Sequence, residues 1–310
     1  MAAVEFRFGV LPRHLQVDLP DWRIEPLPDC QETIEQWRGL GADTTWIYPP
    51  IVQWVRRPCD PGIEKTVRKQ VIESEKEAVV WRLPPTHCLK YNGRHRLDRD
   101  DAMHGIATFL IYLLGTIYGI ELQHEAWFVT GRQRKRENGL FISSHKATTN
   151  VLDLASRWFR KAPRKVQTAI VSALHLHNHI SAYQWDWERF SWQYAVFDAA
   201  WFVAQKNGDI PLHRKKKHWP HGERFHALAT AFNLRRNKRQ FEKWVRNRND
   251  LIHQLTWGKT FPGHEPKVSI RGEYLPLRSF CTIALLASIG YKGKSLRTRW
   301  YKPFQFGLEV

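Results

Sequence analysis

Residues 241–253 read FEKWVRNRNDLIH and bring Arg248, Asn249 and His253 within six positions. Cleaving RNA without a metal takes a base for the 2′-OH proton, an acid for the departing 5′-oxygen, and a cation for the charge building at phosphorus. Histidine titrates near neutrality and exchanges protons. Arginine stays charged and forks onto phosphate oxygens. Asn249 can orient either the imidazole or the phosphate. One histidine is thin for two proton transfers.

Helical spacing decides which of these groups can meet. Phe241, Trp244, Val245, Leu251, Ile252 and Leu255 supply an apolar face, and Asn249 and His253, four apart, are neighbours on one side of the helix. Arg248 lies five residues before His253, about 140° around an ideal helix, so it must curl toward the imidazole or meet one from another chain. Arg246, two turns before His253 and nearly in phase with it, is the competing arginine and a candidate RNA contact. The plain alternative is that His253 caps or packs and Arg248 is solvated.

The elements that would position this segment are helical from Asp101 onward. Residues 101–121 are strongly apolar. Asn150–Arg160 opens with the Asn-x-x-Asp pattern of a capped helix. Pro163 suits the first turn of a helix running to about Ala182. In Tyr183–Lys206, the residues Trp187, Phe190, Tyr194, Phe197 and Trp201 form one stripe at 3–4 spacing. A basic loop, Asn207–His221, leads to a helix over Gly222–Asn233. The motif helix spans about Lys238–Trp257 with Gly258 as its stop, and Leu277–Ile289 adds one more helix.

Arg248-Asn249-x-x-x-His253, late in such a series of helices, resembles the Arg-polar-x(3–5)-His signature of the HEPN superfamily of ribonucleases. The resemblance covers about residues 160–260 and does not reach residues 1–100. It implies a helical bundle whose last core helix carries the signature, and a homodimer that pairs two motifs in one cleft. By position, Asp198 resembles the acidic residue often found on the HEPN helix before the loop, where it would pair with Arg248 or hold His253. A structural ion pair explains it equally well, because a carboxylate on an apolar stripe needs a partner.

Charge is unevenly distributed. Residues 1–100 hold 15 Lys+Arg and 15 Asp+Glu, whereas residues 101–310 hold 33 and 15 and so carry the whole net +18. Residues 201–310 alone have 22 basic against 7 acidic. A polyanion partner for the C-terminal part follows, and RNA is the expected one. Candidate phosphate contacts are Arg132–Arg136, the run Arg214–Lys217 with Lys215, Lys216 and Lys217, and the run Arg235–Arg239 with Arg235, Arg236 and Arg239. Trp219, beside the second run, could stack on a base. His175 and His179 have ligand spacing on a helix, but with no Cys or carboxylate beside them they read as packing, and no metal or other cofactor is expected.

The first hundred residues are proline-rich, with β-like runs at Val4–Val10, Trp46–Val55 and Ala78–Leu83 and room for one helix at Gly62–Lys76. The expected organisation is a small α+β domain (1–100), a helical connection packing on the bundle (101–160), a HEPN-like helical domain (161–290) and a basic aromatic tail (291–310). The fold class is therefore an α+β N-terminal part followed by an all-α HEPN-like bundle, predominantly α overall. Four cysteines without a CxxC pair read as reduced thiols of a cytoplasmic protein. The uncharged stretch Gly105–Ile120 is short for a membrane span. Fifteen tryptophans are expected half-buried, at interfaces or beside bases, since a buried indole N–H wants a partner.

The function expected from these readings is metal-independent endoribonuclease activity by 2′-OH attack. The resemblance implies a prokaryotic antiphage or toxin-type effector, with an antitoxin or regulatory partner and with residues 1–100 sensing or regulating. Two rivals are a non-catalytic HEPN-like RNA-binding or scaffold protein, and a DNA-binding factor reading duplex through Gly222–Asn233 or the motif helix.

Overall fold

The computed structural model describes residues 4–39, 45–47, 80–94, 96–137, 141–183, 185–211, 219–262, 272–297, 299–301 and 306–308. The chain is predominantly helical with a small antiparallel sheet. It divides into two units, Met1–Leu97 with Ile120–Asn138, and Asp98–Gly119 with Gly139–Val310.

In the first unit, strands β1 (Val4–Gly9), β2 (Val17–Asp18) and β3 (Trp22–Pro26) precede helix α1 (Cys30–Gly39). Strands β4 (Trp46–Ile47), β5 (Val80–Arg82) and β6 (His87–Tyr91) follow. The main sheet is antiparallel in the order β2-β3-β6-β1-β7, with β7 at Gln123–His124. Alternation along β1 turns Phe6 and Phe8 into the core. Helix α1 buries Cys30, Ile34 and Trp37 at i, i+4 and i+7, a single stripe. Strand β1 covers all but the last residue of the expected run Val4–Val10, and β5 covers Val80–Arg82 of the run Ala78–Leu83, whose first two residues lie outside the described ones. The helix expected at Gly62–Lys76 and most of the run Trp46–Val55 lie outside the described residues.

Residues 120–138 correct the expected helical connection over 101–160. They form β7, β8 (Phe128–Thr130) and β9 (Gln133–Arg134), which pair with β1, β5 and β4. The reason is visible in the basic run: Arg132 and Arg134 lie 4.2 and 4.4 Å over the Trp46 ring, and buried Lys135 donates to the Arg38 carbonyl at 3.2 Å. These three cations belong to the packing of the unit and are not a bare phosphate-binding strip.

The second unit contains α2 (Arg99–Met103), α3 (Ile106–Tyr118), strand β10 (Phe141–Ser143), α4 (His145–Lys161), α5 (Arg164–His179) and α6 (Asp186–Lys206). Then come α7 (His221–Ala231), α8 (Lys238–Gln254), α9 (Tyr274–Ser288) and strand β11 (Phe306–Leu308), which pairs in parallel with β10. Helix α6 packs on α5 and α9, α3 packs on α4 and α5, and α7 packs on α8. The run Arg99–Tyr118 is apolar and long enough to cross a membrane by composition, yet 83% of that window is buried inside the fold. The cap of α4 is Ser144, whose hydroxyl accepts from the Ala147 amide at 3.2 Å; Asn150 lies inside the helix.

The aromatic stripe on α6 does what its spacing predicts. Phe197 stacks on Phe225 at 3.7 Å, Phe225 on Phe241 at 5.3 Å, and Phe241 on Trp300 at 5.7 Å. Trp22, Trp37, Trp244, Trp257 and Trp300 are fully buried, while Trp46, Trp127, Trp158, Trp187 and Trp219 are half-buried as expected. Trp300 donates to the Arg235 carbonyl, which fastens the basic aromatic tail to the start of α8.

Two buried histidines tie elements together. In the first unit, Nε2 of His87 accepts from the Leu15 amide at 3.3 Å, so Nδ1–H donates to the Thr86 hydroxyl at 2.9 Å. In the second, the Thr282 hydroxyl gives its hydrogen to the Arg278 carbonyl, so His177 Nε2 donates to Thr282 and Nδ1 accepts from Gln193. That joins α5, α6 and α9. Burial lowers both imidazoles, His87 to about 3 and His177 well below its ordinary value. Each is neutral when folded and protonates near 6.5 once unfolded, so its contribution is intact above that pH and drains away as pH falls toward the folded value. Urea unfolding is expected to show lower stability at pH 5.0 than at pH 7.5, with His87 alone accounting for about 2 kcal/mol. His177→Gln should flatten the second unit's share. Equal stability at the two pH values would contradict neutral burial.

Candidate functional site

Helix α8 starts on Asn237, whose side-chain oxygen accepts from the Gln240 amide at 3.2 Å. It buries Phe241, Trp244 and Leu251. It ends at Gln254 rather than near Gly258, because Leu255 turns left-handed (φ 51°) and the Thr256 amide closes back on the Asp250 carbonyl at 3.1 Å. A leucine in that conformation costs roughly 1 kcal/mol relative to glycine.

Arg248 is half-buried, and its Nη1 donates to Asn249 Oδ1 at 3.1 Å, so the amide steadies the guanidinium. The charge of Arg248 acts on a polar cluster between α6 and α7 that sequence reasoning did not assemble. Tyr194 and Asp198 come from one face of α6, four apart; His221 and Arg224 come from the first turn of α7. Arg224 Nη1 donates to Asp198 Oδ1 at 2.9 Å, and its Nε donates to the Trp219 carbonyl at 3.1 Å. His221 Nδ1 lies 3.3 Å from the Tyr194 hydroxyl and 3.8 Å from Asp198 Oδ1.

Burial chiefly lowers the His221 imidazole, helped by the Arg224 and Arg248 charges and opposed by Asp198. Burial also raises the Tyr194 phenol, as does Asp198, against Arg248 and Arg224. At neutral pH the cluster therefore holds a neutral imidazole able to accept a proton, a protonated phenol and two guanidinium groups. Arg248 acts on this cluster, and Asp198 is claimed by Arg224 rather than by Arg248 or His253.

His253 sits exposed in the last turn of α8, about 140° around the helix from Arg248. In the same stretch of chain Ile252 is 57% exposed, Leu255 73% and Phe261 66%. The helix thus presents half-buried Arg248 and exposed His253 on different sides. Within one chain the structure does not bring Arg248 and His253 together.

Of the other predicted contacts, Arg246, Arg235, Arg236 and Arg239 are exposed. Arg236 also donates to the Thr230 hydroxyl at 2.7 Å. Lys215, Lys216 and Lys217 lie outside the described residues. Trp219 already packs edge-on against Trp201 at 5.6 Å and donates to the Pro211 carbonyl. The rings of His175 and His179 are parallel at 6.0 Å, and no group of three potential metal ligands occurs among the described residues.

The missed residues had a partial signal. Tyr194-x-x-x-Asp198 and His221-x-x-Arg224 each have one-face helical spacing, and Pro220 marks a helix start. Their meeting depends on how α6 and α7 pack across the intervening loop, which local spacing does not specify. In comparisons with protein-family models, curated proteins and solved structures, nothing matches this chain.

Proposed function

We propose that the chain is a metal-independent endoribonuclease of the HEPN type that works as a homodimer. The observation that carries this reading is Arg248, steadied by Asn249 and with its charge acting on the His221 imidazole, on the helix that ends in exposed His253. A histidine takes the 2′-OH proton, O2′ attacks phosphorus, and the 5′-oxygen leaves with a proton from a second imidazole. Arg248 offsets the charge on the phosphoryl oxygens. The products are a 2′,3′-cyclic phosphate and a 5′-hydroxyl.

His221 and His253 are the two proton-transfer candidates. The separation of His253 from Arg248 around the helix, with Ile252 and Leu255 exposed beside it in sequence, favours a cleft completed by a second copy. The exposed Arg235, Arg236, Arg239 and Arg246 suit phosphate contacts. A prokaryotic antiphage or toxin-type role, with the first unit answering to a regulatory partner or antitoxin, fits such an activity.

The same separation favours, as a second reading, a non-catalytic RNA-binding protein. Incubating the protein with a generic single-stranded RNA in EDTA, alongside competition between RNA and duplex DNA, tests both. Cleavage in EDTA with RNA preferred supports the endoribonuclease. Tight RNA binding without cleavage leaves the binding protein, and preference for duplex DNA overturns both.

A further inference from the structure

The second unit has a cleft that neither the motif nor the basic runs use. Helices α4, α6, α7 and α9 all end there, at Lys161, Lys206, Ala231 and Ser288, and the chain after α9 turns back across it through Gly290, whose φ of 91° is a conformation side chains resist. The cleft has a volume of about 750 Å³, and a second lobe of about 440 Å³ adjoins it across Gly290–Gly293. The larger lobe alone lies within the roughly 300–1,000 Å³ of small-molecule sites.

The lining combines two chemistries. Lys161, Lys206, Lys292 and Arg297 bring four cations against one carboxylate, Asp209. Trp158, half-buried and set by the Phe109 ring 6.0 Å away, and half-buried Phe232 bring aromatic surface. Arg297 is pre-oriented: with the Asn233 amide turned to face it, the amide oxygen accepts from Nε at 3.2 Å and Nη2 at 2.8 Å, and Nη1 takes no part in that pair. Helix C-termini attract cations, so one lysine per end would be unremarkable. Lys292, and Arg297 at the end of the short 3-10 helix Lys294–Arg297, do not belong to those four helices and raise the positive charge beyond what their ends need.

We propose that this cleft binds a nucleoside polyphosphate, with the base against Trp158 and Phe232 and the phosphates on Lys206, Lys292 and Arg297. Aromatic faces suit any base, and guanidinium and ammonium groups suit clustered phosphate oxygens. Asp209 lines the same space as an acceptor for an exocyclic amino group. A free phosphate has no use for the aromatic wall. A site of this kind would let a small metabolite regulate the chain, and it stands apart from the ribonuclease reading, sharing no residue with that cluster.

The test is calorimetric titration of the full chain with ATP and with GTP, competed by inorganic phosphate and by a short single-stranded RNA. Saturable binding of at least one nucleotide in the micromolar range is expected. Lys292→Glu combined with Arg297→Glu should weaken it tenfold or more at an unchanged melting temperature, and Trp158→Phe should retain it. His253→Ala should leave it intact, whether or not RNA is cleaved. No saturable binding up to 1 mM, equal competition by phosphate, displacement by the RNA, or indifference to the charge reversals would each overturn the proposal.

Discussion

Replacing His253 by alanine is expected to cut turnover of single-stranded RNA about 10²-fold or more, the usual scale for losing a general acid or base. The melting temperature should barely move, because the side chain is exposed in the last turn of α8 and supports nothing beneath it. Arg248→Ala should be as damaging to turnover, since it removes the cation that meets the developing charge. Arg246→Ala should mainly weaken RNA affinity and lower the salt dependence of binding by about one phosphate contact. Helix phase alone favours Arg246 as the partner of His253, whereas Arg248 is the arginine whose charge acts on His221 and Tyr194. If Arg246→Ala abolished turnover and Arg248→Ala only weakened binding, the assignment of the two arginines would be reversed.

A second large effect is expected at a residue outside the motif. His221→Ala should lower kcat about 10²-fold if this imidazole is one of the two proton-transfer groups. The pH profile separates that role from a structural one. Burial and the two guanidinium groups lower the His221 imidazole, so as a base it should stay active below the ordinary histidine range, with the acid limb of kcat/KM under pH 6.5. Asp198→Asn removes the one contribution that raises it, and should push that limb lower still while preserving turnover at pH 7. A profile unchanged in Asp198→Asn, together with near-normal rates in His221→Ala, would make His221 a packing residue. The second proton transfer would then fall to the partner's His253.

The helices of the second unit were legible because their apolar stripes are long: the α6 stripe from Phe190 to Trp201 needs only its 3.6 period to be read. The end of α8 was not, because Leu255 adopts a conformation for which Gly258 was the better advertised residue. Residues 120–138 were misread for a related reason. Their strands are two or three residues long, too short for period 2 to show, and their arginines are held by Trp46, far away in sequence. At the candidate site, Arg248, Asn249 and His253 were visible as types at a spacing. That Asp198 pairs with Arg224, and that His221 sits against Tyr194, are contacts made across a loop between helices. They are set by the stacking of Phe197 on Phe225, which fixes α7 against α6.

The central claim, cleavage by 2′-OH attack with Arg248 in place of a metal, rests most directly on one substrate. An RNA carrying a single 2′-O-methyl group at the mapped cut site, incubated with the wild-type chain in EDTA, should remain whole at that bond. The unmodified RNA should be cut there and end in a 2′,3′-cyclic phosphate. Cleavage persisting at the methylated bond, or loss of all cleavage in EDTA, would contradict the account and require a metal-dependent mechanism.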